Sequence, residues 1–221
     1  MWTPALRVTM VASHLVFVFP IAVLLNYRWF FQAIVWIVVT VVSTMYHACQ
    51  VYPSACIVSY GTVARWDMTY AMTVMIVVAL ELIYPLVSFR FPVQFLIVGL
   101  FYLVNVGFLW AREIVPALYD ISVHMFMTIT CCVLILIVAV MVFVCNNRER
   151  ARRKRDYWRW FHERIAWPWY FGGVFVSLVG VFMYTCDWWI DPDMYAMTHM
   201  LWHVGVGVGV GMTLIGLHPY V

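Results

Sequence analysis

Charge is scarce in this sequence. Asp, Glu, Lys and Arg make up 10% of its 221 residues, against about 25% in a soluble domain. Hydrophobic residues reach 66%, and the mean hydropathy is +0.91. Too little polar surface is present to cover a water-soluble globule, which excludes a soluble enzyme, a nucleic-acid binder and a disordered linker. Also missing are a basic n-region and a small-residue cleavage site near Met1, so no cleavable signal peptide is expected. The first apolar run begins within about ten residues of Met1, so no large N-terminal region is expected ahead of it. No ring of acidic or basic residues lines up along a pore, which places a receptor or channel last among the readings.

What is present is a series of long apolar runs. A membrane span needs roughly 20 apolar residues, so a chain of this length holds seven or eight at most. Seven are expected, at about 8–26, 30–48, 63–87, 92–111, 121–145, 167–185 and 194–216. Backbone groups in lipid find no water, so each span is a helix or part of a closed barrel. Barrel strands alternate in polarity and these runs do not. The expected fold is therefore an all-α membrane protein, a seven-transmembrane-helix bundle forming a single domain over residues 1–221.

The net charge of +3 is unevenly spread. Of 13 basic residues, eight lie between Arg148 and Arg164. A basic cluster beside a span marks the cytoplasmic side. It faces anionic inner-leaflet lipid at about 1 kcal/mol per residue, and in so apolar a chain no nucleic-acid partner is expected. Counting spans from this run puts the N-terminus outside and the C-terminus in the cytoplasm. The link with Asp187, Asp191 and Asp193 then falls outside, in keeping with its lack of Lys and Arg.

Ionisable groups inside spans cost roughly 2.5–3.5 kcal/mol on insertion scales and are functional candidates by default. His47 closes the second span, with Ser43 one turn before it. Asp67 lies in the first turns of the third. His199 and His203 share one face of the seventh at spacing i, i+4. Alternate threading brings all of these to the outer side. Three imidazoles can hold one zinc ion and leave a fourth position for water, whose pKa the metal lowers toward about 7. Asp67 could then take a proton or orient the water, and Ser43 could hydrogen-bond the water or a ligand. His14 and His124 fall at the same level without a partner at helical spacing, so they rank as lesser candidates. Glu81, roughly 21 Å deeper at 1.5 Å per residue, His162 and His218 belong to the other side.

Gly205, Gly207, Gly209 and Gly211 make two small-xxx-small grooves in the last span. Close packing of a neighbouring helix is their expected use, a lipid passage the alternative, and they would also permit self-association. Pro20 and Pro85 are expected to kink their helices or mark span ends. Cys49, Cys56 and Cys186 reach the outer side, where a disulfide between any two is allowed. Cys131 and Cys132 are packing candidates, and Cys145 beside the basic run is a candidate for palmitoylation.

The stretch Ser43-Thr44-Met45-Tyr46-His47-Ala48-Cys49, Asp67, and the stretch from Tyr195 to His203 with Trp202 before its last histidine resemble the corresponding segments of the transmembrane protein 8 and myomaker family, in the CREST superfamily of seven-helix membrane proteins. The resemblance implies Zn2+ on His47, His199 and His203, with Asp67 and Ser43 as catalytic candidates beside it. The bare seven-helix form resembles the branch that drives myoblast fusion at the plasma membrane, with membrane lipids, a second copy or a fusion protein as partners. The complete Ser, Asp and three-His set equally suits a zinc-dependent lipid amidase or esterase, phospholipase A2-like or ceramidase-like, of the plasma membrane or the secretory membranes. Whether the chain is an enzyme stays open at this point.

Overall fold

A computed structural model of the chain describes residues 3–87, 91–115, 133, 140, 144, 163, 165–186 and 194–217. Apart from isolated residues, the span expected at 121–145, the basic run and the acidic link after Cys186 lie outside them. So do His124, His162, His218, Cys131, Cys132 and Cys145.

All regular structure among the described residues is helical. In order it comprises α1 (Pro4–Ala12), a 3-10 turn (Ser13–Phe17), α2 (Val18–Asn26), α3 (Phe30–Val51), a short 3-10 turn (Pro53–Ala55), α4 (Tyr60–Val87), α5 (Phe91–Ile114), α6 (Trp167–Cys186) and α7 (Tyr195–Leu217). Among the described residues, five segments are long and apolar enough to cross a membrane: Pro4–Asn26, Phe30–Val51, Phe95–Arg112, Trp167–Tyr184 and Tyr195–Leu217. α4, at 28 residues, is ample in length but carries Arg65, Asp67 and Glu81. Large apolar side chains stand exposed on several of these helices, among them Leu15, Ile34, Leu96, Leu103, Phe175 and Phe182. So much apolar exposure suits contact with acyl chains rather than water. The protein is a helical membrane protein.

Local chemistry explains where the helices start and stop. Thr3 caps α1 by accepting from the Leu6 N–H at 3.3 Å, and Pro4 occupies a first-turn position whose missing N–H is not needed. The first span then tightens into 3-10 form at Ser13–Phe17. Pro20 supplies the reason: it has no N–H for the Val16 carbonyl, and its ring crowds that same carbonyl. At the far end, Trp29 N–H bonds Leu24 O at 2.8 Å and Arg28 N–H bonds Leu25 O at 3.0 Å. This is a Schellman closure, with Arg28 in the left-handed region at φ 59°. Pro53 follows Tyr52 and stops α3. Pro85 lies in the last turn of α4.

The chain divides into two compact units, Met1–Asp67 with His162–Val221, and Met68–Phe161. In the first unit α7 is central, packed against α6, α2, the 3-10 turn and α1, while α3 packs on α1, α2 and the turn. The glycines of α7 make this possible on two sides. A Cβ on Gly205 would lie 2.6 Å from the Gly180 Cα of α6, and one on Gly209 would be 2.6 Å from the Gly173 carbonyl oxygen. A Cβ on Gly207 would meet Val16 at 2.8 Å, and one on Gly211 would run into the Phe19 ring. Both grooves are thus filled by the chain's own helices, the tight packing expected of them. In the second unit, Tyr70 of α4 and Tyr102 of α5 are in ring contact at 5.9 Å.

Candidate metal centre

Three helices of the first unit bring histidines to one place. His14 comes from the 3-10 turn, His47 from the last turns of α3, and His199 and His203 from the first turns of α7. All four are buried. Ring centroids are 4.1 Å apart for His14 and His203, 5.0 Å for His14 and His47, 5.2 Å for His47 and His203, and 4.9 Å for His47 and His199. The expected group of His47, His199 and His203 is therefore together, with His14 inside the same cluster. The set whose donor atoms all lie within 4.8 Å of one another, close enough to share one metal ion, is His14, His47 and His203.

The hydrogen bonds decide which nitrogen of each uncharged ring carries the proton. His14 Nδ1 faces the Val11 carbonyl at 3.1 Å. A carbonyl only accepts, so Nδ1 donates and Nε2 offers a lone pair. His47 Nδ1 likewise donates to Gln50 Oε1 at 2.9 Å. His203 Nδ1 meets Ser13 Oγ at 2.8 Å. Ser13 gives its own proton to the Met10 carbonyl at 2.7 Å, so it accepts from His203. Each of the three rings thus has Nδ1–H tied to an oxygen and Nε2 left as a lone pair. That is how metal-binding histidines are commonly oriented.

The lone pairs are met unequally. Ser43 Oγ lies 3.0 Å from His14 Nε2 and donates to it. His199 Nε2 lies 3.2 Å from His47 Nε2. His203 Nε2 is buried without a hydrogen-bond partner. Such an orphan costs about 1–3 kcal/mol, and a cation among the three nitrogens would recover it. The donor chemistry fits a metal that takes imidazole ligands.

Asp67 is buried at the start of α4, and its Oδ1 has no partner. Ser43 is within hydrogen-bonding reach of its carboxylate. Tyr46 lies nearby, with its hydroxyl 3.1 Å from that of Tyr60. Met10, Val51 and Ala196 form an apolar cluster at this end of the helices. Phe17 packs edge-on against His14 and His203 and reaches Trp36 at 5.6 Å. Tyr195 and Trp202 stand against His199. Cys49 and Cys56 form a disulfide two residues beyond His47, one of the pairings the sequence allows.

Beside His14, a lesser candidate in the sequence, the cluster holds Ser13 and Gln50, which carry no spacing signal of their own. Polarity is the signal for the pair Ser13-His14, which breaks an otherwise apolar stretch from Met10 to Leu25.

No curated protein matches the chain. A family model does match residues 5–204, and by it the chain belongs to the DUF3522 family, described as proteins of unknown function.

Proposed function

We propose that the chain is a myomaker-like, multi-pass plasma-membrane protein that promotes cell–cell fusion, and that its histidine cluster holds zinc at the outer side. One observation carries the metal: the buried His203 Nε2 has no hydrogen-bond partner, in a ring that shares with His14 and His47 a set of ligand nitrogens within 4.8 Å of one another. Imidazole nitrogens suit zinc among the first-row metals. Support for the outer side comes from the Cys49–Cys56 disulfide, because disulfides persist in oxidising compartments. Support for fusion comes from the motif resemblance around Ser43–Cys49 and Tyr195–His203. In this reading zinc ties the first, second and last spans together, and the presented surface acts on lipid or on a partner.

The test is expression in fusion-incompetent myoblasts, scored by mixing of cytoplasmic dyes. Wild type is expected to mix contents, and a His47→Ala/His203→Ala variant at equal surface level is expected to fail. Wild-type protein at the surface without mixing overturns the fusion reading.

A second reading has its own observation. Asp67 keeps a buried, unpartnered carboxylate oxygen within reach of Ser43, which suits a zinc-dependent lipid hydrolase. Bound zinc supplies acidification of water and polarisation of a carbonyl. Asp67 would hold the proton and Ser43 would orient the lipid carbonyl or the water. Fatty-acid release from phospholipid, ceramide or a GPI-linked reporter, abolished in Asp67→Asn, supports this reading. Equal release by wild type and variant overturns it.

A further inference from the structure

We infer that the uncharged link between α3 and α4 is a lipid-contacting segment, with Tyr52 and Ile57 set against the protein's own bilayer where headgroups meet acyl chains. The inference is independent of the metal and fusion readings above, and it holds whichever side of the membrane this end of α3 faces.

The first observation is register. Phe30, Ile34, Ile37 and Val41 of α3 are exposed, and their spacing of three and four residues puts them on one helix face. The same spacing continues through the half-buried Met45 and Ala48 to Tyr52, which is again exposed. The Tyr52 N–H still bonds the Ala48 carbonyl at 2.8 Å, so the residue keeps its place in the helical turn although it caps α3. An apolar face of this kind on a membrane helix meets acyl chains, and Tyr52 stands at its end. Tyrosine is the residue type enriched at that depth, with its ring toward the hydrocarbon and its hydroxyl toward the headgroups.

Composition and exposure give the second observation. From Ala48 to Ala64 the chain carries no charged residue, although the ends of spans are where charge is easily borne. Within this stretch Ile57 is 81% exposed, and Tyr60 at the start of α4 is exposed as well, its hydroxyl 3.1 Å from that of Tyr46.

The third observation fixes the level. The Cys49–Cys56 disulfide holds the two Cα atoms 4.7 Å apart, and Cys49 belongs to the last turn of α3. Ile57 is one Cα step of about 3.8 Å beyond Cys56. The staple therefore keeps Ile57 beside the end of the membrane helix instead of letting it swing away into water. An exposed isoleucine, two exposed tyrosines and no charge, held where a membrane helix ends, match the bilayer already present at that level. Gln50 lies inside the stapled loop, 2.9 Å from His47, so the lipid-contacting segment is also the one against which His47 rests.

Environment-sensitive fluorescence tests this on the full-length chain reconstituted in phosphatidylcholine vesicles. A dansyl-bearing amino acid replaces Ile57, Tyr52 or Val41 in turn by codon suppression, which leaves the Cys49–Cys56 pair intact. Val41, on the exposed face of α3, supplies the value for a side chain immersed in acyl chains. Quenching is read with a nitroxide carried near the carbonyl end of the acyl chain, and separately with iodide on both faces of the vesicle. At positions 52 and 57 the nitroxide is expected to quench more strongly than iodide, and the emission is expected to be blue-shifted toward that at Val41. Stronger quenching by iodide at either position places the link in water and overturns the inference. Shielding from both quenchers at either position also overturns it, because protein, a second copy included, then covers the link. Each variant is scored only with wild-type helical circular dichroism, and where one fails to fold the other position decides.

Discussion

At the scale of single residues, the histidine cluster is oriented by side chains that would not touch the proposed ion. Gln50 holds the His47 proton and Ser13 holds that of His203. Losing such an orienting partner typically costs about 10–100-fold in metal affinity. Gln50→Ala and Ser13→Ala are therefore each expected to weaken zinc by that factor while keeping about one ion per chain at saturation. Chelator competition with metal analysis checks both numbers, and unchanged affinity in both variants counts against the tautomers derived above. His14 shows why such a site is only partly readable from sequence. His199 and His203 announce themselves by their i, i+4 spacing. His14 has no such partner, because its neighbours in the cluster come from residues far along the chain.

At the scale of elements, the last helix is built to be approached from two sides. Gly205 meets Gly180 backbone to backbone, so a methyl group there must separate α6 from α7. Gly205→Ala is expected to destabilise the protein by about 1–3 kcal/mol, the usual cost of overpacking. Gly107 has nothing within 4 Å of an added Cβ, and Gly107→Ala should be neutral or gain up to about 1 kcal/mol from helix propensity. Denaturation in detergent micelles, comparing the two variants, checks the contrast in sign. Arg28 offers a test of the first hairpin. At φ 59° an L side chain is strained by about 1–2 kcal/mol, partly offset by the entropy of glycine. Arg28→Gly is expected to be neutral to stabilising, by up to about 1 kcal/mol, in the same assay. The span edges themselves were legible: the run expected at 30–48 is the helix Phe30–Val51, and that at 194–216 is Tyr195–Leu217. Apolar length and flanking breakers suffice for this. The 3-10 turn was less so, since Pro20 announces an interruption without saying that it extends back to Ser13.

At the scale of the whole molecule, sidedness is what joins chemistry to function. The Cys49–Cys56 disulfide sits beside His47, so its location reports the location of the centre. On intact cells, a membrane-impermeant reductant followed by an impermeant maleimide is expected to label Cys49 and Cys56. Labelling should be lost in the Cys49→Ser/Cys56→Ser variant. Labelling that requires permeabilised cells would place the cluster on the cytoplasmic face. It would also reverse the orientation inferred from the basic run between Arg148 and Arg164. The two glycine grooves bear on assembly at this scale. Both are occupied within the chain, so a second copy would have to dock elsewhere.

By itself the sequence determined that this is a helical membrane protein, because too few charges exist to clothe it otherwise. It also led to the expectation that His47, Asp67, His199 and His203 share a level, because seven alternately threaded spans would bring them to one side, and the structure does bring the three histidines together. Tertiary structure alone decided which side chains meet there. Membership of the cluster depends on helix rotation and on the tightened turn at Ser13–Phe17. Proton placement depends on Val11, Gln50 and Ser13, contacts set by how the helices pack. Sequence spacing encodes the face of one helix, but the direction in which that face looks is fixed only by the neighbours it buries.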